Sequence, residues 1–185
     1  MRELAWHFVS ADRRLRDGSP LVVGEWLEYS GPLVLCKGGL HASTRAIDAL
    51  QYAPGPIACL VEVGGAVVRG ADKIVCSRRR PLWAIDATHA LRLFARQCAL
   101  DVAHPRDCPG IVREYLETGD ETKRDDAWAA ARDDAWAAAR AAAWYAAGAD
   151  GAAALAAWAA ARERQNADLE SLLIAEAMDL GEEMP

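Results

Sequence analysis

The hydrophobic and polar positions change their period about halfway along the chain. Before residue 86, apolar and alternating stretches are short and are separated by Gly, Pro, Ser and Asp, which is the pattern of strands joined by turns. The Gly64-Gly65 pair falls inside an apolar stretch and predicts a bulge or tight bend within one long β segment. The strands predicted in this way span residues 3–9, 21–30, 32–38, 57–70, 73–77 and 80–86.

Helical spacing appears once in this first half and dominates the second half. Residues 43–53 have helical spacing, with Ser43 or Thr44 as the candidate N-cap and Pro54-Gly55-Pro56 as the stop. After residue 86, capping and stop signals delimit further helices. These are a helix capped by Asp86 or Thr88 and ended at His104-Pro105, one from Pro109 to Gly119, one over about 122–147, and one from Asp150 to about Met178. The chain is therefore predicted to be α+β, with a β-rich domain at 1–86 and a helical bundle at 87–185.

An eight-residue repeat lies within the third of these helices. Residues 125–148 read DDAWAAAR, DDAWAAAR, AAAWYAAG. Successive tryptophans are turned about 80° from each other, and each arginine lies four residues from a tryptophan on either side. These positions form what we call the Trp/Arg ridge, which consists of Trp128, Arg132, Trp136, Arg140 and Trp144.

Two interpretations of the Trp/Arg ridge remain open. Arg132 and Arg140 have no acidic residue three or four positions away, which favours stacking on indole over salt bridging. The ridge is either an internal core, because alanines let other helices approach closely, or a partner-binding surface, because Trp and Arg are common interface anchors. A single-stranded nucleic-acid platform is disfavoured because aspartates outnumber arginines in the repeat and the whole chain carries a formal net charge of −6.

Composition limits the compartment and the redox chemistry. Charges interrupt the alanine tract, and the N-terminus lacks an apolar core of signal-peptide length, so we expect a cytoplasmic protein that spans no membrane. The five cysteines form no CxxC pair and are expected to be reduced and structural. Cys36 with His41, and Cys98 with His104 and Cys108, have ligand chemistry but not the short paired spacing of zinc sites, so we expect neither metal nor cofactor.

One part of the chain resembles a known family. The strings GGLHASTRAIDALQYAPG (38–55), CLVEVGG (59–65) and DKIVCSRR (72–79) resemble an uncharacterised domain family scattered through phages and bacterial genomes, over about residues 5–103. The rear half resembles alanine-rich helical tails of bacterial proteins, some of them labelled as immunity proteins. These resemblances imply an architecture and a phage context, and no demonstrated activity.

The Gly-Leu-His-Ala string also contains the first candidate for a catalytic site. His41 follows Gly38-Gly39, where backbone can approach a ligand closely, and Ser43 and Thr44 precede a helix whose N-terminal amides could hold an anion. The alternative is a structural corner, in which Ser43 caps the helix and His41 hydrogen-bonds a backbone carbonyl.

Other charged residues offer weaker signals. A pair of carboxylates in a cleft would suit acid/base chemistry, and Arg78-Arg79-Arg80 could contact a phosphate or an acidic partner. We expect the carboxylates to be solvated on strand faces and the arginine run to form an exposed loop before Pro81. The carboxylates considered are Glu25, Glu28, Glu62 and Asp72.

These features lead to two functional hypotheses of different classes. The first is a non-enzymatic interaction protein of phage or mobile-element type, which binds a host or defence-system macromolecule. The alternative is a small nucleotide-handling transferase resembling ADP-ribosyltransferases, which would use the corner formed by His41, Ser43 and Thr44. The sequence does not predict the oligomeric state.

Overall fold

The computed structural model describes residues 2–102, 108–127, 129–130 and 151–184, without the side chains of 102 and 151–158. It confirms an α+β fold with strands first and helices after them. The elements are β1 Glu3–Val9, β2 Leu27–Glu28, β3 Leu40–Ala42, α1 Ala46–Leu50, β4 Ile57–Arg69, β5 Ile74–Asp86, α2 Thr88–Val102, α3 Gly110–Thr118, a 3₁₀ turn Glu121–Lys123, and α4 Gly151–Asp179.

The chain forms two compact units. The first contains Met1–Leu91 together with Asn166–Pro185, and the second contains Arg92–Gln165. The boundary predicted near residue 86 assigned the whole C-terminal segment to the helical part. The second half of α4 instead belongs to the same unit as the sheet.

The sheet is antiparallel and curls back on itself. β4 and β5 form a long hairpin, β1 pairs with β4, and both β2 and β3 pair with β5. Just beyond β3, Ser43 exchanges two backbone hydrogen bonds of 2.7 and 2.9 Å with Trp6 of β1. The strands therefore run in the order β1, β4, β5, β3 and return to β1.

Two irregularities in the hairpin allow this curvature. The register shifts between Gly64 and Val67, which confirms the bulge predicted at Gly64-Gly65. A second shift lies opposite Pro81, where Leu60 pairs with Trp83 and Val61 pairs with Pro81. Proline lacks the N–H that a regular ladder uses, and bulges are where strands tolerate it.

We expect Gly65→Ala to lower the free energy of unfolding by roughly 1–3 kcal/mol. Gly65 has φ +71°, and a Cβ there would lie 2.1 Å from Ser77 Oγ, whose hydroxyl accepts the Ala66 N–H at 2.9 Å. Urea denaturation measures the loss. Gly18→Ala is the matched control, because Gly18 has φ +83° with nothing within 4 Å. Equal losses for the two variants would contradict the steric part of this prediction.

Four of the predicted strands differ from those observed. Within 21–30 only Leu27–Glu28 is a strand, and 32–38 is a tight loop in which the Val34 N–H bonds the Gly38 carbonyl at 2.9 Å. Cys36 takes φ +66° there, a left-handed conformation incompatible with an extended strand. The stretches 73–77 and 80–86 form one continuous strand, β5.

Both faces of the sheet contribute buried side chains. The inner face carries alternate residues of β1, β4 and β5 and is covered in part by Leu15, Leu21 and Leu40. On the opposite face Trp6 and Trp83 meet edge to face, with ring centroids 5.7 Å apart, and α1 lies against β1. The buried residues of the inner face are Ala5, Val9, Ala42, Ile57, Cys59, Val61, Val63, Ile74, Cys76 and Ala84.

Three helix ends after β5 agree with the predicted capping and stop signals. The Asp86 carboxylate accepts the Thr88 N–H at 3.0 Å at the start of α2, Gly119 ends α3 with φ 69°, and α4 runs close to its predicted limits. The helix predicted over 122–147 lies largely outside the described residues. Within that range, residues 124–127 and 129–130 are described and are helical.

Candidate functional site

The Trp/Arg ridge lies outside the residues that the structure describes. Its five members, Trp128, Arg132, Trp136, Arg140 and Trp144, all fall in the gaps between the described ranges. The choice between internal core and partner surface for this ridge therefore remains a prediction.

His41 is held in a structural corner by backbone on both sides of its ring. Nε2 accepts the Cys36 N–H at 2.9 Å, and Nδ1 lies 3.1 Å from the Gly39 carbonyl oxygen. This pair of contacts selects the tautomer with hydrogen on Nδ1. Burial lowers the pKa of His41, so the imidazole is neutral. Proton transfer to a ligand would require at least one of these bonds to break.

The predicted capping of α1 by Ser43 or Thr44 is wrong. The helix begins at Ala46, and its N-cap residue, Arg45, makes no side-chain capping bond. Ser43 lies before the helix, is 2% exposed and is fixed by its backbone bonds to Trp6.

The amides at the start of α1 instead bond side chains of α4. Glu170 Oε1 accepts the Ala46 N–H and Asn166 Oδ1 accepts the Ile47 N–H, each at 3.1 Å. The sequence suggested that these amides could hold an external anion, but their oxygen acceptors come from α4. A carboxylate at a helix N-terminus is electrostatically favourable.

The arginine run is part of β5, and the prediction of an exposed loop is wrong. Successive side chains of a strand point to opposite faces, so Arg78 and Arg80 share the outer face while Arg79 points to the inner face. Arg79 is 4% exposed. Because side chains alternate along a strand, two of these arginines lie on the outer face and one lies on the inner face. A count of charges does not show this difference.

On the outer face, Arg78 and Arg80 pack against one tryptophan. The guanidinium carbons lie 4.5 and 4.9 Å from the ring centroid of Trp26, and Glu28 pairs with Arg78 at 3.1 Å while Glu62 pairs with Arg80. We call this group of five residues the Trp26 surface. The arginine–tryptophan stacking expected at the ridge is thus present on the sheet.

Three of the four carboxylates considered for catalysis have other partners in the described structure. Glu28 and Glu62 each bind a different arginine of the Trp26 surface. Asp72 accepts a hydrogen bond from the hydroxyl of Tyr52, and Lys73 Nζ lies 3.6 Å from the Tyr52 ring centroid. The Glu28 side chain is 69% exposed, as expected for a solvated charge on a strand face, whereas the Glu62 side chain is 13% exposed.

On the inner face, Arg79 contacts the backbone of β3. Its Nη1 donates to the His41 carbonyl oxygen, while its Nε is buried and has no hydrogen-bond partner in the described structure. His7 of β1 lies on the same face. Burial, assisted by the charge of Arg79, lowers the pKa of His7 well below its usual value.

The lowered pKa of His7 predicts acid sensitivity. The folded state favours neutral imidazole, whereas the unfolded chain protonates His7 near pH 6.5. The stabilisation is therefore complete above about pH 6.5 and is lost as the pH falls from there towards the folded-state pKa. Urea melts between about pH 7.5 and 5 should show a smaller decline for His7→Gln than for the unaltered chain. Identical declines would contradict this assignment.

All five cysteines lie in the described ranges, and none of them forms a disulfide there. Cys59 and Cys76 are buried, and burial raises the pKa of Cys59 to about 12. Cys36 is exposed, and its Sγ lies 3.4 Å from Lys73 Nζ. Within the described ranges, no group of three or more His, Cys, Asp or Glu side chains is arranged to hold a metal ion. His104 lies outside those ranges.

The second unit contains a cavity of about 320 Å³. Within it, Arg96 Nε and Nη1 are buried without hydrogen-bond partners in the described structure, and Gly119 leaves the space that this guanidinium occupies, because a Cβ there would lie 1.5 Å from Nη1. The cavity is lined by Arg92, Ala95, Arg96, Val112, Tyr115, Leu116, Arg124 and Ala127.

Sequence reasoning did not identify Trp26 or His7 as site residues, and it considered Arg79 only as one member of an exposed basic loop. Strand alternation could have separated Arg79 from Arg78 and Arg80, because successive side chains of a strand point to opposite faces. It could not have shown that Arg79 is on the inner face, because the register shift at Pro81 changes which residues of β5 share a face. Trp26 lies in a predicted strand, and no local signal indicates that its indole meets the arginines of β5.

Comparison with known proteins adds a family match and nothing functional. Residues 4–93 match the model of a family described as a domain of unknown function (DUF7666), consistent with the uncharacterised domain family that the Gly-Leu-His-Ala string indicated. No curated protein and no solved structure matches the chain. In the described part of the chain, no helix combines the length and apolarity needed to cross a membrane.

Proposed function

We propose that this protein is a non-enzymatic interaction protein of phage or mobile-element type, and that it binds a host or defence-system protein through the Trp26 surface. The single observation that carries the binding part is the packing of one half-buried tryptophan against two arginines that are themselves held by carboxylates. The phage context rests on the resemblance of the sequence alone.

The Trp26 surface has the composition and rigidity of an interface anchor. Tryptophan and arginine are the residues most enriched among binding hot spots. The Arg78 side chain remains 45% exposed and the Glu28 side chain 69% exposed, so both are accessible to a partner. Because the stacking and the ion pairs already fix these side chains, less conformational entropy is lost when a partner binds.

The position of Trp26 on the sheet also favours an interface. Its ring lies over Gly64, where a Cβ would come within 3.2 Å of the indole, so the ring rests directly on the backbone of β4. The two valines that precede it in the chain, Val22 and Val23, are 42% and 45% exposed. An aromatic ring with nearby exposed aliphatic residues can exclude water from the centre of a contact.

The enzymatic alternative receives less support from the geometry. A transferase at the His41 corner needs a free imidazole and free helix amides. Both His41 ring nitrogens contact backbone groups, and the Ala46 and Ile47 amides bond α4. Ser43 is buried, which leaves Thr44 as the exposed hydroxyl of the three proposed residues.

Affinity capture from host lysate with four full-length baits separates the two classes. We expect the unaltered chain to retain a stoichiometric protein partner, Trp26→Ala to lose it, and His41→Ala to retain it if that variant is folded. Tyr52→Ala is the matched control, since Tyr52 is also aromatic and is 52% exposed but lies outside the Trp26 surface.

The captures are read together with thermal unfolding of each bait. Retention of the partner by Trp26→Ala, or its loss from Tyr52→Ala as well, would contradict the proposed surface. A folded His41→Ala variant that binds its partner normally but has lost every biological effect would favour the transferase.

A further inference from the structure

The inner face of the sheet contains a cation that its surroundings do not neutralise. Arg79 is 4% exposed, and within the described structure its guanidinium makes one hydrogen bond, from Nη1 to the His41 carbonyl oxygen. Its Nε is buried without a partner, and no carboxylate of the described residues pairs with it. Removing a guanidinium from water is strongly unfavourable unless an anion or several acceptors replace the lost hydration.

The side chains around Arg79 do not supply a negative charge. Burial lowers the pKa of His7 and His41 and raises the pKa of Cys59 and Cys76. All four groups are therefore uncharged near neutral pH. Burial also lowers the pKa of Arg79 itself, but a guanidinium remains protonated in proteins at neutral pH.

The nearest carboxylate in the register of the sheet is already engaged. Glu3 of β1 pairs with Val63, which pairs in turn with Arg79, so the two side chains are separated by one strand on the same face. Both Glu3 carboxylate oxygens bind Arg69, at 2.7 and 2.8 Å. Both oxygens of this carboxylate therefore already have a cationic partner.

We propose that the inner face around Arg79 binds a small oxyanion, a phosphoryl or carboxylate group, on the Nε–Nη2 edge of the guanidinium. The bond from Nη1 to His41 fixes the orientation of the plane, and this edge presents two parallel N–H groups of the kind that bind two oxygens at once. The site is independent of the Trp26 surface, because Arg79 points to the face opposite Arg78 and Arg80.

Thermal unfolding of the full chain in inorganic phosphate, sodium acetate or sodium chloride at equal ionic strength tests this proposal. We expect Tm to rise by roughly 4 °C or more in saturating phosphate or acetate relative to chloride, because a ligand that binds only the folded state stabilises it. A rise in phosphate alone identifies a phosphoryl site, and a rise in acetate alone identifies a carboxylate site. Equal Tm values in all three salts would overturn the proposal, whatever the variants do.

Three variants assign the effect to Arg79. Arg79→Met removes the cation, Arg79→Lys keeps the charge without the two-pronged edge, and Arg78→Met removes a neighbouring cation from the other face. We expect the anion-dependent rise in Tm to persist in Arg78→Met, to fall to less than half in Arg79→Lys, and to vanish in Arg79→Met. If Arg79→Met does not fold, Arg79→Lys decides. A rise equal to that of the unaltered chain in either Arg79 variant would refute the site.

Discussion

Replacement of Trp83 by alanine is expected to lower the free energy of unfolding by roughly 3–5 kcal/mol, the range for removing a large buried aromatic side chain. Trp83 is 0% exposed and contacts Trp6 edge to face, with an interplanar angle of 72°. The substitution therefore removes a large apolar area and an aromatic pair, and leaves a cavity between the sheet and the elements that cover it.

Urea denaturation followed by circular dichroism measures this loss. Trp83→Phe should lose much less, because the Trp83 Nε1–H has no hydrogen-bond partner in the described structure and phenylalanine keeps most of the apolar contact. Trp26→Ala is the second control and should lose less than Trp83→Ala, since Trp26 is only half-buried. If Trp83→Ala lost less than about 1 kcal/mol, Trp83 would not be part of the core.

Leu173→Ala should cost roughly 2–5 kcal/mol, the usual range for truncating a buried leucine. Leu169, Leu173 and Ala177 are 0% exposed and follow one another at four-residue spacing along α4. On the same segment, Glu176 Oε2 accepts the Ala90 N–H at 2.8 Å at the start of α2. The end of α4 is therefore built into the first unit by apolar burial and by capping bonds.

Leu180→Ala supplies the matched control for this second prediction. Leu180 lies just beyond α4 and is 63% exposed, so its truncation should change the free energy of unfolding by less than about 0.5 kcal/mol. Both variants are compared by urea denaturation followed by circular dichroism, as for Trp83→Ala. If Leu173→Ala and Leu180→Ala behaved alike, the C-terminal segment would not be integral to the first unit.

The elements that sequence predicted correctly are those with local determinants. The alternation of β1, the Gly64-Gly65 bulge and the Gly119 helix stop each depend on residues next to one another in the chain. The capping of α1 could not be predicted, because Ala46 bonds Glu170, which is 124 residues away in sequence. The local candidates, Ser43 and Thr44, were outcompeted by a tertiary partner.

The candidate sites also differ in whether their determinants are local in sequence. His41 was identified from a local string, and its hydrogen bond to a backbone carbonyl was among the predicted alternatives. The Trp26 surface requires a two-residue strand, β2, to pair with Arg79 and Arg78 of β5, and such short pairings leave no periodic signal. The prediction of a loop at the arginine run is wrong because three consecutive charges are also compatible with a strand whose side chains alternate between a buried and an exposed face.

The most direct test of the proposed function is the dissociation constant of the captured partner for the unaltered chain and for Trp26→Ala, measured by isothermal titration calorimetry. A hot-spot tryptophan is worth about 2 kcal/mol or more, so we predict a Kd at least about 30-fold weaker for Trp26→Ala, with Tyr52→Ala within about threefold of the unaltered chain. A folded Trp26→Ala variant that binds within about threefold of the unaltered chain would contradict the proposal that this protein acts through the Trp26 surface.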